Sequence, residues 1–328
     1  MIRILRRFQD GQTRTDLQLG DLPAAIADGG GLLWVDFEAE PPETCEPILR
    51  QTFGFHPLAI DDALRESHVP RVDDWGRYLY LVLPAIALNH QPGMHLEALE
   101  LDAFLGATFL VTHHDQPVEA VDYVWSACQR DPRHLEKSVD HVLYKLVDEL
   151  AASYMSVIED IDDAIDRVED EVFDRPTPLT LEQIFTLKRA LLQLRRVLMP
   201  QREVLNKLAR GDYAVIDAED RVFFRDVYDH LVRMHDITET MRDLVSGALD
   251  TYLSVINNRM NDIMKTLTVI TTLFMPISFI AGFFGMNFFQ PATALPAWTD
   301  RPAFYLMLAA TVLTPIAMFF WIRRRGWT

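Results

Sequence analysis

An α+β cytoplasmic domain, a long helical stalk and two transmembrane helices are what this 328-residue sequence predicts. Three observations carry the prediction. Two uncharged apolar stretches lie near the end of the chain, Thr266 to about Met286 and Ala303 to Ile322, each long enough for a bilayer, which needs roughly 20 residues. Charge is distributed unevenly. From Lys265 onward five basic residues (Lys265, Arg301, Arg323, Arg324, Arg325) face Asp300 alone, which leaves 26 basic and 47 acidic residues before them. Finally, strand-like and helix-like segments alternate up to about residue 130, and long helical patterns follow.

The composition bounds the function. With 49% apolar and 24% charged residues the chain is neither disordered nor mostly membrane-embedded. A net charge of −17 excludes a nucleic-acid binder, because phosphate contacts need clustered Lys and Arg. Two cysteines, Cys45 and Cys128, are too few for a disulfide framework or a cysteine-rich metal site. No hydrolase, P-loop or dinucleotide motif is present.

Taken in order, Gly31–Phe37, Tyr78–Leu83 and Phe109–Thr112 are strand candidates, the third reached through the alternating Leu99-Glu100-Leu101-Asp102. Helix candidates are 42–53, 57–66 and 117–130, and Asp131-Pro132 breaks the chain. The expected domains are 1–132, 133–264 and 265–328. Residues 134–174 and 179–210 read as long helices separated by Arg175-Pro176-Thr177-Pro178. A third pattern starts near Asp217 and meets no breaker until Pro276. At 1.5 Å per residue it makes a rod of roughly 100 Å leading into the first span.

Basic residues orient the two spans. Arg259 and Lys265 precede the first, Arg323, Arg324 and Arg325 follow the second, and the loop of about 288–302 offers only Arg301. Both termini are therefore expected inside and the loop outside, in a plasma (inner) membrane, with Trp298 and Trp321 at the interfaces. The opening MIRILRRFQDGQT lacks a long apolar run, so no cleaved signal is expected.

The strongest pattern is a 3-4 spacing. Asn261, Met264, Thr268, Thr271, Met275, Ser278, Gly282 and Gly285 continue a line running back through Asn257, Ser254, Asp250, Gly247, Asp243 and Thr240 to Asp236. Such spacing marks the seam of a left-handed bundle, normally apolar. Here it is polar or small almost throughout, with Leu244, Leu249, Leu253, Ile256, Met260 and Ile263 beside it. Three readings compete. Small residues let spans pack closely; the acids form a solvated helix face; or the line surrounds water in a symmetric homo-oligomer, which accounts for both halves with one geometry.

Gly285-Met286-Asn287 after a span, with a short loop, a second span and a basic end, resembles the CorA family of divalent-cation channels. The likeness extends along Asn261–Lys265 and Phe274–Phe288. It extends also to Phe53-Gly54-Phe55-His56-Pro57-Leu58, Asp61-Asp62-Ala63-Leu64, Pro70-Arg71-Val72 and Tyr78. The resemblance implies a CorA-like, funnel-shaped homopentamer whose stalk helix becomes the pore span. It implies passive passage of Mg²⁺, with Co²⁺ or Ni²⁺ as alternatives, and no organic cofactor. A zinc-transporting branch shares the architecture, so Zn²⁺ stays open, with or without proton coupling. The resemblance also implies a regulatory Mg²⁺ between subunits, bridging Asp62 to Asp226 on the neighbouring stalk.

Chemistry gives each position a task. Mg²⁺ holds its waters tightly and prefers oxygen ligands. A filter of Gly285, Met286 and Asn287 would offer a ring of neutral amide carbonyls to the hydrated ion, although Asn287 also suits a helix C-cap. Thr268, Thr271 and Ser278 would bond hydration water. Met264, Leu267 and Met275 would form apolar constrictions, or simply pack. Asn261 would add an amide ring, and Asp250, with Asp243 and Asp236, acid rings. Opposed unpaired carboxylates at Asp62 and Asp226 would repel until a divalent ion neutralised them. The acid block Glu159–Asp174 is either a solvated face or a cation reservoir. Phe288-Phe289-Gln290-Pro291-Ala292-Thr293 departs from the family in lacking an acid after the Asn.

Two other classes remain. An enzyme has only His113-His114-Asp115 in its favour, a run expected to turn to solvent after a strand. A membrane-anchored sensor without conduction would have an apolar seam, and Asn287→Ala would leave it intact.

Overall fold

The computed structural model describes residues 1–65, 69–89, 95–135, 137–285 and 301–324. They fall into two compact units, Met1–Asp250 and Thr251–Thr328.

The first unit is built on a seven-stranded sheet. Its strands are β1 (Ile2–Arg7), β2 (Thr13–Arg14), β3 (Leu32–Glu38), β4 (Arg71–Asp74), β5 (Tyr78–Val82), β8 (Asp102–Gly106) and β9 (Phe109–His114), in the order β2-β1-β3-β9-β8-β5-β4. Among the described residues only β3 and β9 pair in parallel, Leu33 opposite Phe109 through Glu38 opposite His114. Strands β6 (Ala85–Asn89) and β7 (His95–Leu99) form a separate hairpin. On one face of the sheet Ile4, Val35, Phe37, Tyr80, Val82, Phe104 and Val111 enclose a core with α1 (Leu22–Asp28), α2 (Pro42–Pro47) and α3 (Pro57–Ala63). The opposite face packs against α4 (Glu119–Arg130), where Trp34 meets Trp125 edge-on at 4.8 Å, and against α5 (Val139–Asp174). Both faces are covered, so β5 and β8 are buried throughout and read as near-continuous apolar runs.

All three expected strands are present. The structure adds β1, whose Arg3 and Arg6 look like polar flanking residues. They are held in the sheet by acids: Arg3 by Asp36 and Asp122, Arg6 by Asp28. The helix expected at 42–53 stops at Pro47 and widens into a turn, Ile48–Thr52, closed by Phe53 N–H to the Ile48 carbonyl.

Helix α5 spans 36 residues and α6 (Pro178–Arg210) 33. Pro178 stands in the first turn of α6, where a missing N–H is not needed, and the Thr177 hydroxyl accepts from the Thr180 N–H. Gly211, at φ 81°, ends α6 in the left-handed conformation. Helix α7 (Arg221–Gly285) has 65 residues and does not stop at Pro276. It starts four residues later than the pattern suggests. The Asp217 N–H is bound by Asp140, and Asp220 accepts from Ser138 and His141, so this stretch forms a turn tied to α5.

In the second unit, α7 continues to Gly285 and α8 spans Arg301–Arg324. Both helices contain apolar windows long enough to cross a membrane, and only 0% and 6% of those windows are buried within the chain. Core helices of a soluble domain would be covered; these present their apolar side chains outward, as two membrane spans do.

Candidate ion path and cation-binding acids

Helix α7 carries two lines at 3-4 spacing. Within the first unit one is apolar and buried: Phe224, Val227, Leu231, Met234, Thr238, Met241, Val245 and Ala248. Tyr144 of α5 packs its ring on Phe223 and Phe224, and Arg195 of α6 pairs with Glu239. The polar line is displaced by two residues, about 200° around the helix, and so occupies the opposite side. Asp236, Thr240, Asp243, Gly247 and Asp250 are all exposed. In the second unit the same is true of Ser254, Asn257, Asn261, Met264, Thr268, Thr271, Met275, Ser278, Gly282 and Gly285, and Leu267 beside them is exposed too. Met286 and Asn287 lie outside the described residues.

Three threonine hydroxyls on this line share one arrangement. Thr240 donates to the Asp236 carbonyl at 3.0 Å, Thr268 to Met264 at 2.7 Å, and Thr271 to Leu267 at 2.9 Å. Each proton is engaged by the helix itself, which leaves the oxygen lone pairs outward. A hydrated cation directs water protons outward, so these outward-facing threonine oxygens are complementary to it. The line carries no His and no Cys. Its donors are hard oxygens and two thioethers, a set that favours Mg²⁺ over softer metals.

The two acids expected to share an ion each have a neighbour. Asp62, on α3, lies 2.8 Å from Arg71 of β4, so it is not the unpaired carboxylate anticipated. Asp226, on α7, is exposed and 3.8 Å from His230 one turn on. It also acts on Asp148 of α5. Burial pushes the Asp148 carboxyl up, His230 opposes this, and the nearby Asp226 charge raises it further. The sequence reading missed Asp148 because its partner lies 78 positions away on another helix.

A second correction concerns His113 and His114. They do not turn to solvent: β9 runs through both, leaving them 2% and 1% exposed. His113 faces Asp102 at 3.8 Å on one side and Asp115 at 3.8 Å on the other. His114 lies on the other face of the sheet, between Asp36 at 3.3 Å and the Gln116 carbonyl at 2.6 Å. The acid block of α5 is a solvated face, with Ile161, Ala164, Ile165, Val168 and Val172 buried behind it. A further trio, Asp140, Asp217 and Asp220, brings carboxylates within 4.8 Å of one another. Its oxygens already receive Ser138, His141 and the Asp217 N–H, bonds that fasten the start of α5 to the approach to α7.

Comparison with known proteins decides the family. Residues 29–324 match the model of the CorA-like Mg²⁺ transporter proteins. The chain belongs to this family. It is 35% identical over 277 residues to the cobalt/magnesium transport protein CorA of Thermotoga maritima, covering 84% of this chain and 77% of that one. Its fold is that of the CorA magnesium transporter from Methanocaldococcus jannaschii, with a TM-score of 0.84 at 23% identity over 100% and 99% of the two chains. The zinc transport protein ZntB of Yersinia pestis is also similar, at 23% identity over 92% of this chain and 90% of that one. This CorA-family chain is thus a divalent-cation transporter of the superfamily, a group of ion transporters rather than enzymes.

Proposed function

We propose that the chain is a passive Mg²⁺ channel, also passing Co²⁺ and Ni²⁺, that assembles as a homopentamer around the polar line of α7. The carrying observation is that line itself, exposed from Asp236 to Asp250 on the side of α7 opposite its buried seam, and exposed again from Ser254 to Gly285. Leu244, Leu253, Met260 and Ile263 flank the line and are exposed in a single chain, so further copies would cover them. Thr268, Thr271, Ser278 and Asn261 would accept from hydration water. Met264, Leu267 and Met275 would narrow the path, and Gly285, Met286 and Asn287 would form the outer filter. Gly282 would permit close approach of the helices. Asp250 would concentrate cations toward the inner end. Both termini would lie in the cytoplasm, with α8 as the outer, lipid-facing span.

Internal Mg²⁺ would close the channel by bridging Asp62 of one copy to Asp226 of the next, with Asp148 sharing the ion beside Asp226. Such an ion binds one arrangement of the copies better than the other and so shifts the population toward it. The likeness to ZntB keeps a proton-coupled Zn²⁺ transporter as the second reading. The absence of imidazole and thiolate from the α7 line argues for Mg²⁺.

Flux of Mg²⁺ and of Zn²⁺ into proteoliposomes, each with and without a proton gradient, tests the proposal for wild type and Asn287→Ala. Mg²⁺ flux that needs no gradient and is lost in the variant is expected. Zn²⁺ flux that rises with a gradient favours the second reading. No flux of either ion leaves a membrane-anchored sensor.

A further inference from the structure

We infer that Arg71 is a built-in counter-ion that competes with the divalent ion for Asp62 and so sets the concentration at which internal Mg²⁺ closes the channel. The inference rests on Asp62 being a ligand of the regulatory ion, as proposed above, and adds what controls that site.

The geometry points to competition rather than to a fixed structural pair. Arg71 Nη2 lies 2.8 Å from Asp62, and Arg71 Nε lies 3.4 Å from a second acid, Asp73, two residues along the same strand. Neither nitrogen makes an aligned hydrogen bond, although both are shielded from solvent. The guanidinium is therefore held by charge without the directional bonds of a bidentate pair. With side-chain exposures of 46% for both Asp62 and Asp73, against 33% for Arg71, the two acids can be reached by water and ions although the guanidinium nitrogens that face them are shielded. When an ion takes Asp62, Asp73 is at hand to keep the guanidinium.

A platform fixes the position from which Arg71 acts. The guanidinium lies over the ring of Tyr80, 5.6 Å from its centre. Tyr80 is fully buried, and its hydroxyl donates to Asp102 at 2.6 Å inside the sheet. Arg71 thus cannot drift away with the solvent, and its charge is permanent. A monovalent cation attached to the protein lowers the effective affinity of Asp62 for any external cation by a constant factor. The half-exposed pair is worth at most about 1 kcal/mol, a shift of roughly fivefold in concentration.

The test is the Mg²⁺ concentration that half-protects the purified full-length protein from chymotrypsin. Arg71→Gln, and Arg71→Met, which keeps an aliphatic stem over Tyr80, are each expected to lower this midpoint about fivefold. Arg71→Lys, retaining the charge, should stay within about twofold of wild type. Digestion at saturating Mg²⁺ should be the same for all, which separates a shifted midpoint from damaged folding. A midpoint unchanged or raised in Arg71→Gln and Arg71→Met, with Asp62→Asn raising it, overturns the role of Arg71 and leaves Asp62 as a ligand. A midpoint indifferent to both Asp62→Asn and the Arg71 variants removes the site on which the inference stands.

Discussion

Asp102 shows how far burial acts on single residues in this protein. Its carboxyl is pushed up to about 7 by burial, against the nearby His113 and the hydrogen bond from Tyr80, which favour the charged form. A carboxyl raised in the folded state binds a proton that the unfolded chain has already released. The stability it contributes is complete below about pH 4 and is lost as pH rises through about 7. Asp102→Asn should flatten that decline, as read from urea midpoints between pH 4 and 8. Asp36 behaves oppositely. Burial would raise it, but His114, Thr112 at 2.5 Å and Arg3 at 2.6 Å hold it below the usual carboxylate range. Asp36→Ala strips Arg3 and His114 of their central partner and should cost on the order of 3–5 kcal/mol by chemical denaturation. None of this was legible in His113-His114-Asp115. The acids that face these histidines come from β8 and β3, 11 and 78 positions back in sequence, so local polarity suggested solvent where the sheet supplies buried partners.

At the scale of elements, α7 separates stability from transport. Val245 is on the buried seam and Asp243, two residues away, on the exposed line. Val245→Ala should lose about 2 kcal/mol, whereas Asp243→Asn should stay within about 0.5 kcal/mol, by thermal or urea unfolding of the whole chain. Thr271→Val should keep the helix and reduce ion flux, because the outward oxygen is gone while the backbone bonds remain. The polar line was readable from spacing alone. The apolar seam behind it was not singled out, because Thr238 interrupts it as a sequence pattern. In the structure the Thr238 hydroxyl bonds to the Met234 carbonyl at 2.8 Å and the position is buried. Strand β1 escaped for a related reason: arginines neutralised by distant acids look, in sequence, like a solvated segment.

For the molecule as a whole, the uneven charge and the two apolar stretches already announced an acidic part followed by two spans. What those features leave open is how many copies meet and what passes between them, because the residues that decide it lie on an exposed side of α7 and are not packed into the core of one chain. The most direct measurement uses the two native cysteines, Cys45 and Cys128, both of them buried. A single cysteine placed at Ser278, or at Ile270 off the polar line, can then be treated with a charged thiol reagent while Mg²⁺ flux is recorded. Flux blocked in Ser278→Cys and untouched in Ile270→Cys is the result expected if the exposed line of α7 surrounds the ion path. Flux that persists in Ser278→Cys, or falls equally in both, contradicts it.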